Sequence, residues 1–170
     1  MPYLTAAVVL FGLLSLINLA LTLGLLRRLR DHGGRTVPPA GPPVVLTAGS
    51  RPGSFSTATT DDEPVSDSTI SGLVGFFSAH CQPCHALVPR FCEEARELGR
   101  HNVLAVIGGA DPELVEALTP VARVITEDID GPVSTAFQNT WTPALYLLGT
   151  DGTVVATGGR IEDLAVAMAR

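Results

Sequence analysis

The chain has no lysine: all 11 of its basic residues are arginine, set against 17 acids for a net charge of −6. Every acid but Asp31 lies beyond position 60, so the larger part of the chain is acidic, with few basic clusters. That distribution leaves no electrostatic footprint for nucleic acid, and none is expected as a partner. Cysteine is scarce too, three in 170 residues. One cysteine pair without a second matching pair is weak evidence for zinc, and the odd count does not fix a redox compartment. No internal repeat stands out. Long uncharged runs are confined to one place, the amino end.

There, Met1 to Leu26 carry no charged side chain. At ~1.5 Å per residue the stretch is long enough to cross a hydrocarbon core of ~30 Å. A cleaved signal peptide would want a basic start, a shorter apolar core and a small-residue cleavage site, none of which is obvious. The expectation is a membrane-spanning helix over residues 1–26, with Arg27, Arg28 and Arg30 as its basic flank and residues 1–30 as the anchor. Taken alone, the positive-inside rule then puts the rest of the chain in the cytoplasm. Residues 31–46, dense in Gly and Pro, read as a linker that is semi-rigid at ~3.1 Å per residue. Residues 47–170 are the expected globular domain.

That domain is organised around Phe76 to His85, FFSAHCQPCH. A cysteine that does chemistry must be a thiolate, and a helix start favours one through its unpaired N–H groups and dipole. Cys81 is placed for that, because Gly72–Phe77 reads as a buried strand and Pro83 suits a first helical turn. A helix over about Gln82–Arg100 puts Val88, Phe91, Cys92, Ala95 and Leu98 on one face, with Arg90, Glu93, Glu94 and Glu97 on the other; Pro89 should kink it. Cys92, on the apolar face, reads as a buried small hydrophobe rather than a third redox partner.

Beyond the helix come a strand at Val103–Ile107, a short helix Pro112–Leu118 started by Asp111, and a strand at Ala122–Ile125. A short helix Pro132–Gln138 follows, then a hairpin of Ala144–Leu148 and Thr153–Thr157 around Asp151-Gly152, and a closing helix Arg160–Arg170. Upstream, extended pieces at Gly53–Thr57 and Pro64–Ser66 suggest an N-terminal hairpin or a strand added to the sheet. Strands alternating with helices indicate an α/β sandwich around a central mixed sheet.

The order strand, C-x-x-C, helix, with Pro89 eight residues after the first cysteine and Thr142-Pro143 entering a terminal hairpin, resembles the thioredoxin fold. The FFSAHCQPC core, the preceding GSFSTATTDDEPVS and the N-terminal anchor look more narrowly like the membrane-tethered TlpA-like thiol-disulfide oxidoreductases of bacteria, of the methylamine-utilisation or redoxin type. The pattern covers residues 47–170. The resemblance implies an enzyme that reduces or exchanges disulfides of protein clients, fed by an electron donor it does not name, with no cofactor and no metal. By it, Cys81 would attack a partner disulfide, Cys84 would resolve the mixed disulfide, and Gln82 and Pro83 would tune the poise. Pro143 would be a cis proline, and Thr142 before it would offer backbone groups to an extended client chain. Trp141 would line the groove or serve as packing.

Two departures matter. Thioredoxins usually place an aromatic residue, commonly Trp, just before the first cysteine, where this chain has His80. Their buried strand acid falls at a position matching Gly75, so the usual proton acceptor for the resolving thiol is missing. His80 and His85 are the candidates to take over that proton transfer; the plainer reading leaves both solvated.

Rival readings exist. CQPCH matches the attachment signature of a c-type haem with His85 as proximal ligand, against which stand the buried strand, the βα alternation and the terminal hairpin. A thiol peroxidase of the redoxin type shares the fold but normally presents P-x-x-x-T-x-x-C, which is absent before Cys81. A non-catalytic thioredoxin-like adaptor has no need of the intact cysteine pair. On compartment the resemblance and Arg27–Arg30 disagree, since tethered relatives usually work outside the cytoplasmic membrane. The outer face is the expectation kept, because a cytoplasm rich in soluble reductants gains less from a tethered one.

Overall fold

The computed structural model describes residues 46–128 and 130–168, together with Gly12 and Ser15. Apart from Gly12 and Ser15, the expected membrane helix over residues 1–26, its arginine flank and the linker up to Val45 lie outside the described residues. Among the described residues no helix is long and apolar enough to cross a membrane. The elements from Ser56 onwards fall within one compact unit, Gly41–Arg170.

In chain order these are β1 (Ser56–Ala58), β2 (Pro64–Ser66), β3 (Gly72–Ser78), α1 (Gln82–Leu98), a 3₁₀ turn (Arg100–Asn102), β4 (Val103–Gly108), α2 (Pro112–Leu118), β5 (Arg123–Glu127), α3 (Pro132–Ala136), β6 (Ala144–Leu148), β7 (Val154–Gly158) and α4 (Ile161–Met168). Five strands form one sheet in the order β5-β4-β3-β6-β7. The central β3 runs parallel to β4 and antiparallel to β6, with Phe76 opposite Val106 on one side and Ala144 on the other. The sheet is therefore mixed, as expected.

Alternation along β3 sorts the core into two layers. Leu73 and Phe77 pack with Cys84, Phe91 and Ala95 of α1 and Leu164 of α4. Val74 and Phe76 pack on the opposite face with Val65, Phe137 and Tyr146. Both faces of β3 are covered, which is why its sequence is a continuous apolar run rather than an alternating one.

Boundaries differ from expectation where local chemistry stops an element early. Helix α1 carries Pro89 inside it but ends at Leu98, not Arg100. Gly99 takes φ +83°, the Gly99 N–H donates to the Ala95 carbonyl and the Asn102 side-chain amide donates to the Leu98 carbonyl, closing the helix. Helix α3 stops at Ala136, and Gln138 is left-handed at φ +50°. β5 begins and ends later than expected, at Arg123 and Glu127. Asp163 accepts from the Gly159 and Arg160 N–H groups and so starts α4 at Ile161.

The N-terminal hairpin is real but separate: β1 and β2 pair only with each other. The segment that contains it lies across one face of the sheet, burying Leu46, Phe55 and Val65 against Phe76 and Tyr146. It bonds to both outer strands. Gly49 N–H donates to Val154 C=O (2.7 Å) and Val154 N–H to Ser50 C=O (2.9 Å), while Thr60 N–H donates to Val124 C=O (2.8 Å). Arg100 ties the β1–β2 turn down from the other side, its guanidinium 2.7 Å from both Asp61 and Glu63.

Candidate active site

β3 leads straight into the cysteines. After Ser78 the chain turns, and Cys81 becomes the N-cap of α1 in an extended conformation (φ −96°, ψ 94°). Its Sγ accepts the Cys84 N–H at 3.2 Å, filling one of the helix's open donors with sulfur. Pro83 occupies the first turn, where its missing N–H costs nothing, and no acid stands in that turn to oppose a thiolate. Cys81 is half-buried, whereas Cys84 is wholly buried in the core. The two are joined as a disulfide with Cα atoms 5.2 Å apart.

Gly75 explains the missing acid. A Cβ there would lie 2.7 Å from Phe91 Cε2 and 2.8 Å from Phe77 Cε2. The two rings meet edge to face, with centroids 5.0 Å apart, and fill the space under the cysteine helix. Among the described residues the buried polar or charged side chains are Thr59, Arg123 and Asn139, so no buried carboxylate adjoins Cys84.

The two histidines differ. His80 is exposed in the turn before Cys81. His85, on the first turn of α1, reaches back so that its Nε2 lies 3.4 Å from the Ala79 carbonyl and 3.5 Å from Asp111 Oδ2. Both neighbours are acceptors, the partners that a ring N–H at Nε2 would take. Asp111 Oδ1 in turn accepts the Leu114 N–H and caps α2. Asp111 was expected only as a helix start; its link to the cysteine helix through His85 has no signature in sequence spacing.

The Thr142–Pro143 peptide is cis. Ala144 stands opposite Phe76 in the antiparallel β3–β6 pair, so Thr142 and Pro143 lie at the end of β3 that leads to Cys81. The preceding loop is held by a short polar chain: Tyr146 O–H donates to Asn139 Oδ1 (3.2 Å), and Asn139 Nδ2 donates to the Trp141 carbonyl (2.8 Å). Burial pushes the Tyr146 phenol well above its ordinary range. Trp141 is 50% exposed, so it is no packing residue. With Ser78, Asp130, Asn139 and Thr142 it lines a cavity of about 140 Å³. Asn139, Tyr146 and Asp130 escaped sequence reasoning because nothing local marks them.

Cys92 is free and buried, with its Sγ 3.7 Å from the Ala117 carbonyl, and burial pushes its thiol up. It sits on the buried face of α1, where the sequence placed it.

No protein-family model matches the sequence, and no curated protein matches it. Solved structures do match. A thio-disulfide isomerase from Thermus thermophilus is 25% identical, over 73% of this chain and 96% of that one, at a TM-score of 0.55. The thioredoxin domain of a thiol-disulfide oxidoreductase from Bacteroides vulgatus is 19% identical, over 73% and 96%, also at 0.55. StoA from Bacillus subtilis is 18% identical, over 65% and 90%, at 0.51. The fold of the described residues is thus thioredoxin-like, with a cysteine pair at the head of its first long helix.

Proposed function

We propose that the chain is a thiol-disulfide oxidoreductase that reduces or exchanges disulfides of protein clients through Cys81 and Cys84. The observation that carries the reading is the division of labour between the two sulfurs. One caps a helix of 17 residues at the protein surface, and the other is buried one turn inside it. The neighbouring structures named as thiol-disulfide oxidoreductase and isomerase support it.

In the reductive direction, the Cys81 thiolate attacks one sulfur of a client disulfide. The client S–S bond breaks, a Cys81–client disulfide forms, and the departing client sulfur takes a proton. Cys84, once deprotonated, attacks Cys81 Sγ, breaks the mixed disulfide and releases the second client thiol. Two electrons and two protons pass from the dithiol to the client, and an external donor then re-reduces the pair. Thr142 offers its backbone to the extended client, and His80 and His85 are the groups at hand to exchange protons with the solvent.

Residues 1–26 tether the domain to a membrane, and the domain works on the outer side. Insulin reduction or disulfide transfer should be present in the full chain and lost in Cys81→Ser; activity that survives in Cys81→Ser overturns the reading. Labelling of reduced Cys81 in intact cells by an impermeant thiol reagent tests the side of the membrane, and labelling only after lysis would reverse it.

A further inference from the structure

We propose that the cavity beside Trp141 is a specificity pocket for an arginine side chain of the client, laid on the indole and paired with the Asp130 carboxylate. This presupposes exchange with protein clients and names a feature of those clients. The cavity, about 140 Å³, accommodates one side chain rather than a folded surface. Ser78 and Thr142 both line it, so it adjoins the strand end that leads to Cys81 and the residue before Pro143.

Its chemistry is mixed. Phe76 and Val106 give it apolar walls, and Trp141, the only tryptophan of the chain, stands half exposed. The Trp141 backbone is fixed by the Asn139–Tyr146 hydrogen bonds, so the loop that presents the ring is preorganised. Asp130 lines the same cavity and is exposed. Its carboxylate has neither an ion-pair partner nor a side-chain hydrogen bond among the described residues; Asp62, Glu94 and Asp128 share that, and Asp130 differs from them in lining the cavity with Trp141. An exposed indole and an exposed carboxylate on the lining of one small cavity suit a guanidinium, which stacks on a ring and offers a planar fork to an acid. Lysine meets the charge but not the fork, and glutamine meets neither. The net charge of −6 draws a basic client toward the domain as a whole.

The test uses the full chain in detergent and non-reactive peptides in which serine replaces the client cysteine. Arg, Lys, Gln, Leu or Glu is placed at each of the two positions on either side. Binding is followed by Trp141 fluorescence, which has one source. Arg peptides should bind about tenfold more tightly than Gln peptides, and Asp130→Asn should cut that ratio to about threefold, the part left to the indole. Equal binding of Arg and Gln, best binding by Leu, or a preference undiminished in Asp130→Asn overturns the proposal. Cysteine-containing versions of the same peptides test disulfide exchange separately. Exchange without an Arg preference removes the pocket alone, and an Arg preference without exchange removes the catalytic reading alone.

Discussion

Phe91 stands where a side chain on Gly75 would go: a Cβ at 75 would come within 2.7 Å of its ring. The strand position that carries an acid in the thioredoxin pattern is here closed by an aromatic edge. Gly75→Ala should therefore lower stability by about 1–3 kcal/mol, through overpacking against two rings that have little room to retreat. Urea denaturation would measure it. In a Phe91→Leu background the same substitution should cost less, and an equal cost in both would show that the rings are not the obstacle.

The reduced protein should show three thiols of very different reactivity. Cys81 is alkylated first by iodoacetamide. Cys84 is shielded by burial, and Cys92 is both buried and pushed toward the neutral thiol. Timed alkylation with mass mapping of the three sites checks the order. In Cys84→Ser the mixed disulfide with a client should accumulate, since nothing else adjoins Cys81 to release it.

The dependence of Cys81 alkylation on pH should separate the two histidines. His85→Ala removes a ring that reaches both the Ala79 carbonyl and the Asp111 carboxylate, so that carboxylate loses a neighbour close to the redox turn. The alkylation profile should move to higher pH by about half a unit, a change of about threefold at fixed pH. His80→Ala, an exposed residue with no such links, should move it less. Superimposable profiles in both variants would dismiss the histidines.

Tyr146→Phe should cost about 1–2 kcal/mol, because Asn139 Oδ1 loses its donor in a buried place. It should also remove an alkaline component of stability. The folded phenol is raised above its ordinary value of 10.0, so below that pH both states keep the proton and the contribution is intact. As pH rises past it the unfolded chain ionises first, and stability falls until the folded phenol follows. Denaturation midpoints between neutral pH and pH ~11 should decline less steeply in Tyr146→Phe, with the intact chain as reference.

The βα unit that presents the cysteines was legible because a continuous apolar run gives way to a helical pattern at the motif itself: Gly72–Phe77 is apolar throughout, Pro83 marks a first turn, and Phe91, Cys92 and Ala95 share a face. Helix ends were less so. Charged residues continue to Arg100 in a helical pattern, and only the backbone of Gly99 shows where it stops. The extended character of Pro64–Ser66 was readable, and a hairpin was one of two readings for it, but its separation from the main sheet was not, because the hairpin is placed by distant backbone bonds such as Thr60 to Val124. The same holds for the site. Cys81, Cys84 and Pro143 carry their own signatures, while Asp111, Asn139 and Tyr146 matter only through partners that folding brings to them.

The segment from Leu46 to Ser66 buckles across one face of the sheet and holds both rims, β7 at Gly49–Ser50 and β5 at Thr60. A strand from another molecule seeking a free border thus finds each outer strand already engaged at one point by the chain's own backbone. A pull applied at residue 46 therefore meets the Gly49–Ser50 bonds to Val154 before it reaches β1.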